Sequence, residues 1–355
     1  MENTKTNIIQ RKGLRKHNNK LIAVTISSLA LVVPLAFGNA EADAAQTNDN
    51  SGQQKTVQSN ENHGNGFLNG GLQGNKNNGG SADQSNAHEG NGILNGGAQG
   101  NKSNGGDATQ KNDHEGKGFL NGGLQGNKNN GGKTDQSNAH EGNGILNGGA
   151  QGNKSNGGDA TQKNEDQGNG FKNGGAQGNK NNGGKTDQSN AHEGNGIKNG
   201  GLQGNKSNGG DATQKNENQG NGFKNGGNGG LQGNKSNGGD ATQKNENQGN
   251  GFKNGGAQGN KNNGGKTDQS NAHEGNGIKN GGLQGNKSNG GDATQKNENQ
   301  GNGFKNGGAQ GNKNNGGSVA QSNAHEGKGF FNGGLQANKS NGGGIVNLIK
   351  ELFHS

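Results

Sequence analysis

The sequence predicts a mostly disordered, low-complexity repeat chain with transient Asn-Gly β-turns and hairpins. The alternative is a Gly/Asn-rich β-solenoid or amyloid-like assembly, and a short amphipathic helix is expected at the C-terminus. Three observations lead there. Glycine supplies 82 of 355 residues, with one Pro and no Cys, Trp or Tyr. Leu, Ile, Val and Phe together number 43, too few to bury an ordinary core. From Gly64 onward the chain repeats with a nearly constant period.

The N-terminal 44 residues have the layout of an export signal. A basic region runs to Lys20, an apolar stretch spans Leu21 to Phe37, and Ala42 and Ala44 fit a small-residue cleavage site with the cut after Ala44. The apolar stretch is short for a membrane span and is interrupted by Ser27, Ser28 and Pro34. Residues 45–63 read as a polar linker. Without cysteine, an exported chain has no disulfide framework to replace a missing core. The formal charge is +8, of which the leader contributes three, leaving a mildly cationic mature chain whose basic residues are all Lys.

The repeats occupy 64–343 as eleven units of about 26 residues. Their marker is the apolar residue of Gly-(Asn/Lys)-Gly-(Phe/Ile), at Phe67, Ile93, Phe119, Ile145, Phe171 and onward to Phe330. One step, Phe223 to Phe252, is longer by a second Asn-Gly-Gly at Asn228-Gly229-Gly230. Phe and Ile alternate before that step, so two kinds of unit form a super-repeat. Asn-Gly between apolar residues is a hairpin cue, because a type I′ turn needs positive φ at both central positions. With Asn69-Gly70 at the tip, Phe67 pairs with Leu72, Ile93 with Ala98 and Phe119 with Leu124. The position after the marker is Leu68, Leu94, Leu120 and Leu146 early, then Lys172, Lys198, Lys224, Lys253, Lys279 and Lys305. An apolar and a charge-tolerant face is what alternation along a strand gives. One unit holds too little apolar surface to offset the ordering of its own glycine-rich backbone; stacked units could add backbone and Asn/Gln side-chain ladders.

No catalytic or cofactor chemistry emerges. There is no thiol, no activated serine and no phosphate loop leading into a helix, and Gly-x-Gly carries little information in so glycine-rich a chain. The histidines of His-Glu-Gly at His88, His114, His140, His192, His273 and His325 stand at least a unit apart, with none at metal-ligand spacing. They read as parts of a solvated linker. No metal or cofactor is expected.

Residues 344–355 differ in kind. On a helical wheel Ile345, Val346, Leu348, Ile349, Leu352 and Phe353 share one arc, which makes them a candidate docking face for a membrane surface or another copy. The Lys-bearing repeats suit an anionic cell-wall or matrix polymer, whereas the lack of Arg and of interleaved aromatic residues argues against sequence-specific nucleic-acid binding.

The leader, long and rich in Lys and Arg, resembles those of Gram-positive, staphylococcus-like secreted proteins. Sortase-anchored surface proteins of those bacteria carry Leu-Pro-x-Thr-Gly, and no Pro follows Pro34 here. Gly70-Gly71-Leu72-Gln73-Gly74-Asn75 is similar to calcium-binding nonapeptide repeats but has Asn where the carboxylate belongs. Gln73-Gly74-Asn75 resembles curli-type amyloid repeats in composition. What these resemblances imply is a secreted, non-enzymatic repeat protein of the cell surface, extracellular matrix or biofilm. It would act as a hydrated spacer or, alternatively, as a multivalent adhesin for an anionic polymer or a membrane-active agent.

Overall fold

The computed structural model describes residues 9–17, 20–28, 46–51, 55–69, 71–173, 175–199, 201–221, 223–225, 231–250, 252–254, 256–328, 330–332, 334–341 and 345–354. From Gln46 onward they form a parallel β-solenoid, the alternative expectation rather than the disordered chain. Each coil supplies a short strand, such as Leu72–Asn77, and a long one, such as Ala82–Asn95. Short strands stack into a twelve-stranded sheet from Gln46–Asn50 to Leu335–Ser340. Long strands stack beside it from Thr56–Asn69 to Ile345–His354. Every strand meets the same residue of the next copy, as in Gln84 with Gln110 and Lys128 with Lys154. In later coils the long strand divides, as in Ala212–Asn221 and Lys224–Asn225, and both parts pair onward. Those split strands close small circuits in the ladder without rolling it into a barrel. At a strand spacing of about 4.8 Å, the first and last long strands lie roughly 50 Å apart.

What replaces an apolar core is a set of amide ladders. Alternate residues of each strand point inward: Gln73, Asn75 and Asn77 from the short strand, and Ala82, Gln84, Asn86 and His88 from the long one. The Gln84 amide donates to the Gln58 side-chain oxygen at 2.7 Å and to the Lys102 carbonyl of the opposite sheet at 3.2 Å. Asn86 donates to Asn112 at 2.9 Å along its own column and to Asn101 across the interior at 3.0 Å. Asn101 in turn donates to Asn127 at 3.0 Å. Each primary amide has two donors and an oxygen with two acceptor sites. Along the Gln84 and Asn86 columns each copy therefore largely satisfies the next, and polar burial is tolerated where it is paired, although a few oxygens such as those of Asn181 and Asn262 are left without a partner.

This accounts for the super-repeat. Where the short strand ends in Asn the next long strand often begins with Thr, and Asn129 donates to the Thr134 hydroxyl at 2.6 Å. Where it ends in Ser the partner is Ala, as in Ser155 and Ala160, both buried. In these coils a large donor meets an acceptor and a small residue meets a methyl group, whereas Asn77 and Asn314 precede Ala82 and Val319.

The expected hairpin is not formed. Asn95, equivalent to the proposed tip residue, is buried and donates to the Asn121 side chain at 2.8 Å and the Lys117 carbonyl at 2.9 Å. The Gly-Gly that follows is a corner between two strands of one coil. It requires glycine: Gly148 has φ +110°, and a Cβ on Gly97 would stand 2.2 Å from the Gly71 carbonyl oxygen. A hairpin would satisfy a few backbone groups locally, whereas stacking satisfies whole strands and the side-chain amides together. The three-residue insertion falls between Asn225 and Leu231, and both ladders resume in register, Leu202 with Leu231 and Ala212 with Ala241.

Two further expectations change. The segment read as a linker, 45–63, carries Gln46–Asn50 and the first half of Thr56–Asn69, the opening strands of both sheets. The C-terminal tail is a strand, Ile345–His354, paired in parallel with Val319–Lys328, and no helix occurs among the described residues. Its alternation therefore has period two rather than 3.6, so the six apolar residues of the helical arc fall at register positions of both parities. In the leader, Ile9–His17 and Lys20–Ser28 form an antiparallel pair, and the cleavage site at Ala42 and Ala44 lies outside the described residues.

Candidate functional site: a lysine ladder beside a glycine-floored groove

With amides inside, the apolar side chains are outside. Phe67, Ile93 and Phe119 are about half exposed, and Leu72 and Leu124 more so, with Ala98 partly covered. The pairs expected across a hairpin instead flank the same glycine corner on the outer surface, in two columns along the rod. Phe223 and Phe252 stack with centroids 4.8 Å apart.

The outward residues of each short strand are an apolar residue, a glycine and a lysine, as in Leu72, Gly74 and Lys76. In-register pairing turns them into three parallel columns. The lysine column runs from Lys76 through Lys102, Lys128 and Lys154 to Lys339, one lysine per coil, about 4.8 Å apart by strand spacing. Lys76 is paired with Asp49 at 3.0 Å. No ion pair is recorded for the other ten among the described residues. Like charges directly opposite each other across a ladder are destabilising, so this column is a standing cost to the fold, repeated in every coil from Leu72–Asn77 onward.

The long-strand face treats its lysines differently. Lys111 meets Asp113 at 2.7 Å, Lys163 meets Glu165 at 2.6 Å, Lys244 meets Glu246 at 2.6 Å, and Lys215 pairs with Glu217. The Lys215 ammonium is held above its ordinary range, first by its hydrogen bond to Glu217. The lysines three residues into the Ala-Thr-Gln-Lys strands are compensated within their own strand, whereas Lys117, Lys172, Lys279 and Lys305 near the ends of the long strands have no ion pair among the described residues.

Beside the lysine column lies a groove of about 1180 Å³ whose floor is the glycine column and whose wall is the Leu/Ala column. Here glycine is not forced by the backbone. A Cβ on Gly100 would have its nearest neighbour, the Gly126 carbonyl oxygen, at 3.8 Å, an ordinary contact, and Ala337 occupies the same place in the last short strand. At the corner, by contrast, a Cβ on Gly105 would meet the Gly79 carbonyl oxygen at 1.2 Å. The corner glycines are required by the fold, and the groove glycines only keep the channel open. A second groove, of about 1640 Å³, runs along the other corner and is lined by Asp, Thr and Lys side chains such as Asp83, Asp107 and Lys133.

Sequence reasoning singled out Lys172 to Lys305 and passed over this ladder. Its signal was the lysine of Asn-Lys-(Asn/Ser), present in every unit. It also placed the histidines in a solvated linker. His88, His114, His140, His192, His273 and His325 are instead buried, because a period-two strand puts them on the inward face with Gln84 and Asn86. Asn75, which stands where a calcium ligand would be, points into the amide ladder. Among the described residues no group of three or more His, Asp or Glu is placed to hold a metal ion. No protein-family model matches the chain, and neither curated proteins nor solved structures provide a match.

Proposed function

We propose that this is a secreted, non-enzymatic, multivalent adhesin that binds an extended anionic polymer along the lysine ladder. The supporting observation is the column of ten lysines without ion partners, aligned on one face of a rod over roughly 45 Å at about 4.8 Å per coil. A linear polyanion relieves their mutual repulsion and engages them together, so weak single contacts combine into avidity. Lysine suits this role as a compact point charge that does not demand a planar partner. The open glycine floor gives the polymer backbone a place to lie close to the sheet. The leader fits delivery outside the cell, where such polymers are found.

The test is a salt titration of binding to polyglycerol phosphate and to polyglutamate, with neutral dextran as control. For a phosphate polymer the log–log slope should reach several units, at about 0.7–0.9 per neutralised charge by analogy with nucleic acids. Lys128→Gln, Lys154→Gln, Lys180→Gln and Lys206→Gln together should weaken binding and flatten that slope. The same number of substitutions at Lys111, Lys163, Lys244 and Lys296 should have little effect. Equal loss from both sets, or binding without salt dependence, would overturn the reading.

A further inference from the structure

One interior column is not explained by the lysine face. It runs through the middle of the long strands, one residue per coil. In its first part His88, His114 and His140 follow one another, with ring centroids 4.8 Å apart and planes within about 10° of parallel. Asp166 and His192 come next, the Asp166 carboxylate lying 3.1 Å from His192 Nδ1 and 4.0 Å from His140 Nε2. Beyond them the histidines are isolated from one another: Asn218 and Asn247 separate His192 from His273, and Asn299 separates His273 from His325.

We propose that the stacked imidazoles of His88, His114 and His140 make the N-terminal part of the solenoid an acid-opened segment, while the asparagine-spaced part beyond Ala212, which has no ring stack, opens less. The geometry forbids the charged form in two ways. Three imidazolium rings at this separation would repel one another in an interior that water does not reach. In addition, the corner amide of Gly148 donates to His140 Nε2 at 3.2 Å, and that of Gly281 donates to His273 Nε2 at 3.1 Å. A proton on Nε2 would turn each acceptor into a donor facing a donor and break the corner. The groups facing the stack do not compensate. Gln73, Gln99 and Gln125 face His88 and His114 from the opposite sheet, and Asn62 stands before His88, all of them neutral. Asp166 lies at the far end of the stack beside His140, and the column's other carboxylate position, Glu351, is in the last strand next to His325.

Burial first, then His140 and His88, pushes His114 down to about 2. His140 is also lowered, by burial first, with Asp166 opposing and His192 adding to the shift. His273, set between asparagines, is lowered to about 4 by burial alone. Asparagine is the column's own neutral residue, so it is the conservative replacement.

The experiment is hydrogen exchange of the full-length chain at pH 7.5 and 4.5, corrected for the intrinsic pH dependence. Strands from Ala82 to Ser155 should lose protection at least tenfold more than those from Ala241 to Ser288. His88→Asn, His114→Asn and His140→Asn together should abolish that difference. Asn218→His with Asn247→His, which joins His192 to His273 in a run of four rings, should transfer it to the second half. Equal loss in both halves, or a transplant that leaves the second half unchanged, would overturn the proposal. If the triple Asn variant is already unprotected at pH 7.5, the transplant decides alone.

Discussion

Replacing Asn138 with leucine would test whether the amide ladder holds the solenoid together. Asn138 is 1 % exposed and sits at a crossing of both ladders. Its amide donates to Asn153 at 3.0 Å and Asn164 at 2.8 Å. Its oxygen accepts from Asn112 at 2.9 Å and Asn127 at 3.0 Å. Leucine has the same branched skeleton but bulkier ends, so the change removes four hydrogen bonds and opens no cavity, while its methyl groups add some overpacking. At about 0.5–1.5 kcal/mol net for each, the loss is about 2–6 kcal/mol. The upper half is favoured, because the Asn112 amide is left with a buried N–H and no acceptor. Added apolar surface offsets part of this, which sets the expected cost at about 2–5 kcal/mol. Repeat arrays need not unfold in one step, so the assay is local: exchange of the amides in the strands Ala108–Asn121, Thr134–Asn147 and Ala160–Asn173. These should lose protection, while coils beyond Ala241 keep theirs. Asn143→Leu, on the exposed face, should change exchange by less than about 0.5 kcal/mol. A leucine at 138 that leaves its neighbours as protected as before would refute the argument that the amides, and not apolar burial, hold the coils together.

Other outcomes follow from the same geometry. Gly100→Ala should be neutral or stabilising by up to about 1 kcal/mol through the unfolded state, whereas Gly105→Ala, whose Cβ would meet backbone at 1.2 Å, should disrupt its corner; thermal melts of the pair read the difference. Deleting Asn228, Gly229 and Gly230 should leave the melting curve nearly unchanged, since both ladders already match across the insertion. Acid should lower stability: the unfolded chain takes up a proton at His114, His140 and His273 as pH falls through about 6.5, and burial holds those rings neutral to lower pH in the folded chain. For His114, lowered to about 2, stability is full above 6.5 and falls by about 2.7 kcal/mol by pH 4.5. The contribution of His273 levels off near 4, and denaturant titrations across this range in wild type and His114→Asn measure the difference.

Much of the ladder was legible in the sequence. The period, the two kinds of unit and the place of the insertion all follow from counting from Phe67 to Phe330, and each maps onto strand register. Three things were not legible, for physical reasons. Counting apolar residues finds no core because the buried side chains are Gln84, Asn86 and their copies, which become satisfied only once a second coil exists. Asn-Gly-Gly carries the same local cue for a hairpin tip and for a solenoid corner; what separates them is whether Asn95 finds Asn121 above it, a contact 26 residues away. The apolar residues of the tail lie on one side of a helical wheel, yet those ten residues can also extend a sheet whose edge is already in place, and tertiary pairing overrides a weak local preference in so short a segment. The lysine ladder was hidden for the converse reason: one lysine per unit is unremarkable in sequence and becomes a charged line only when the units are stacked in register.

The most direct test of the solenoid is disulfide formation between cysteines placed 26 residues apart. The chain has no cysteine of its own, so Lys128→Cys with Lys154→Cys reports a single pair, on outward side chains that are partners in the ladder. Parallel neighbours at about 4.8 Å fall within the range of about 4.4–6.8 Å that a disulfide spans. In a disordered chain, 26 residues separate the two by roughly 25–30 Å on average. The solenoid predicts rapid, near-complete oxidation of this pair and much slower oxidation when Lys128→Cys is combined with Asn153→Cys, whose side chain points inward. Equal and slow oxidation of both pairs would mean that the coils are not stacked in register, and the account of the fold, the lysine face and the histidine column would fall with it.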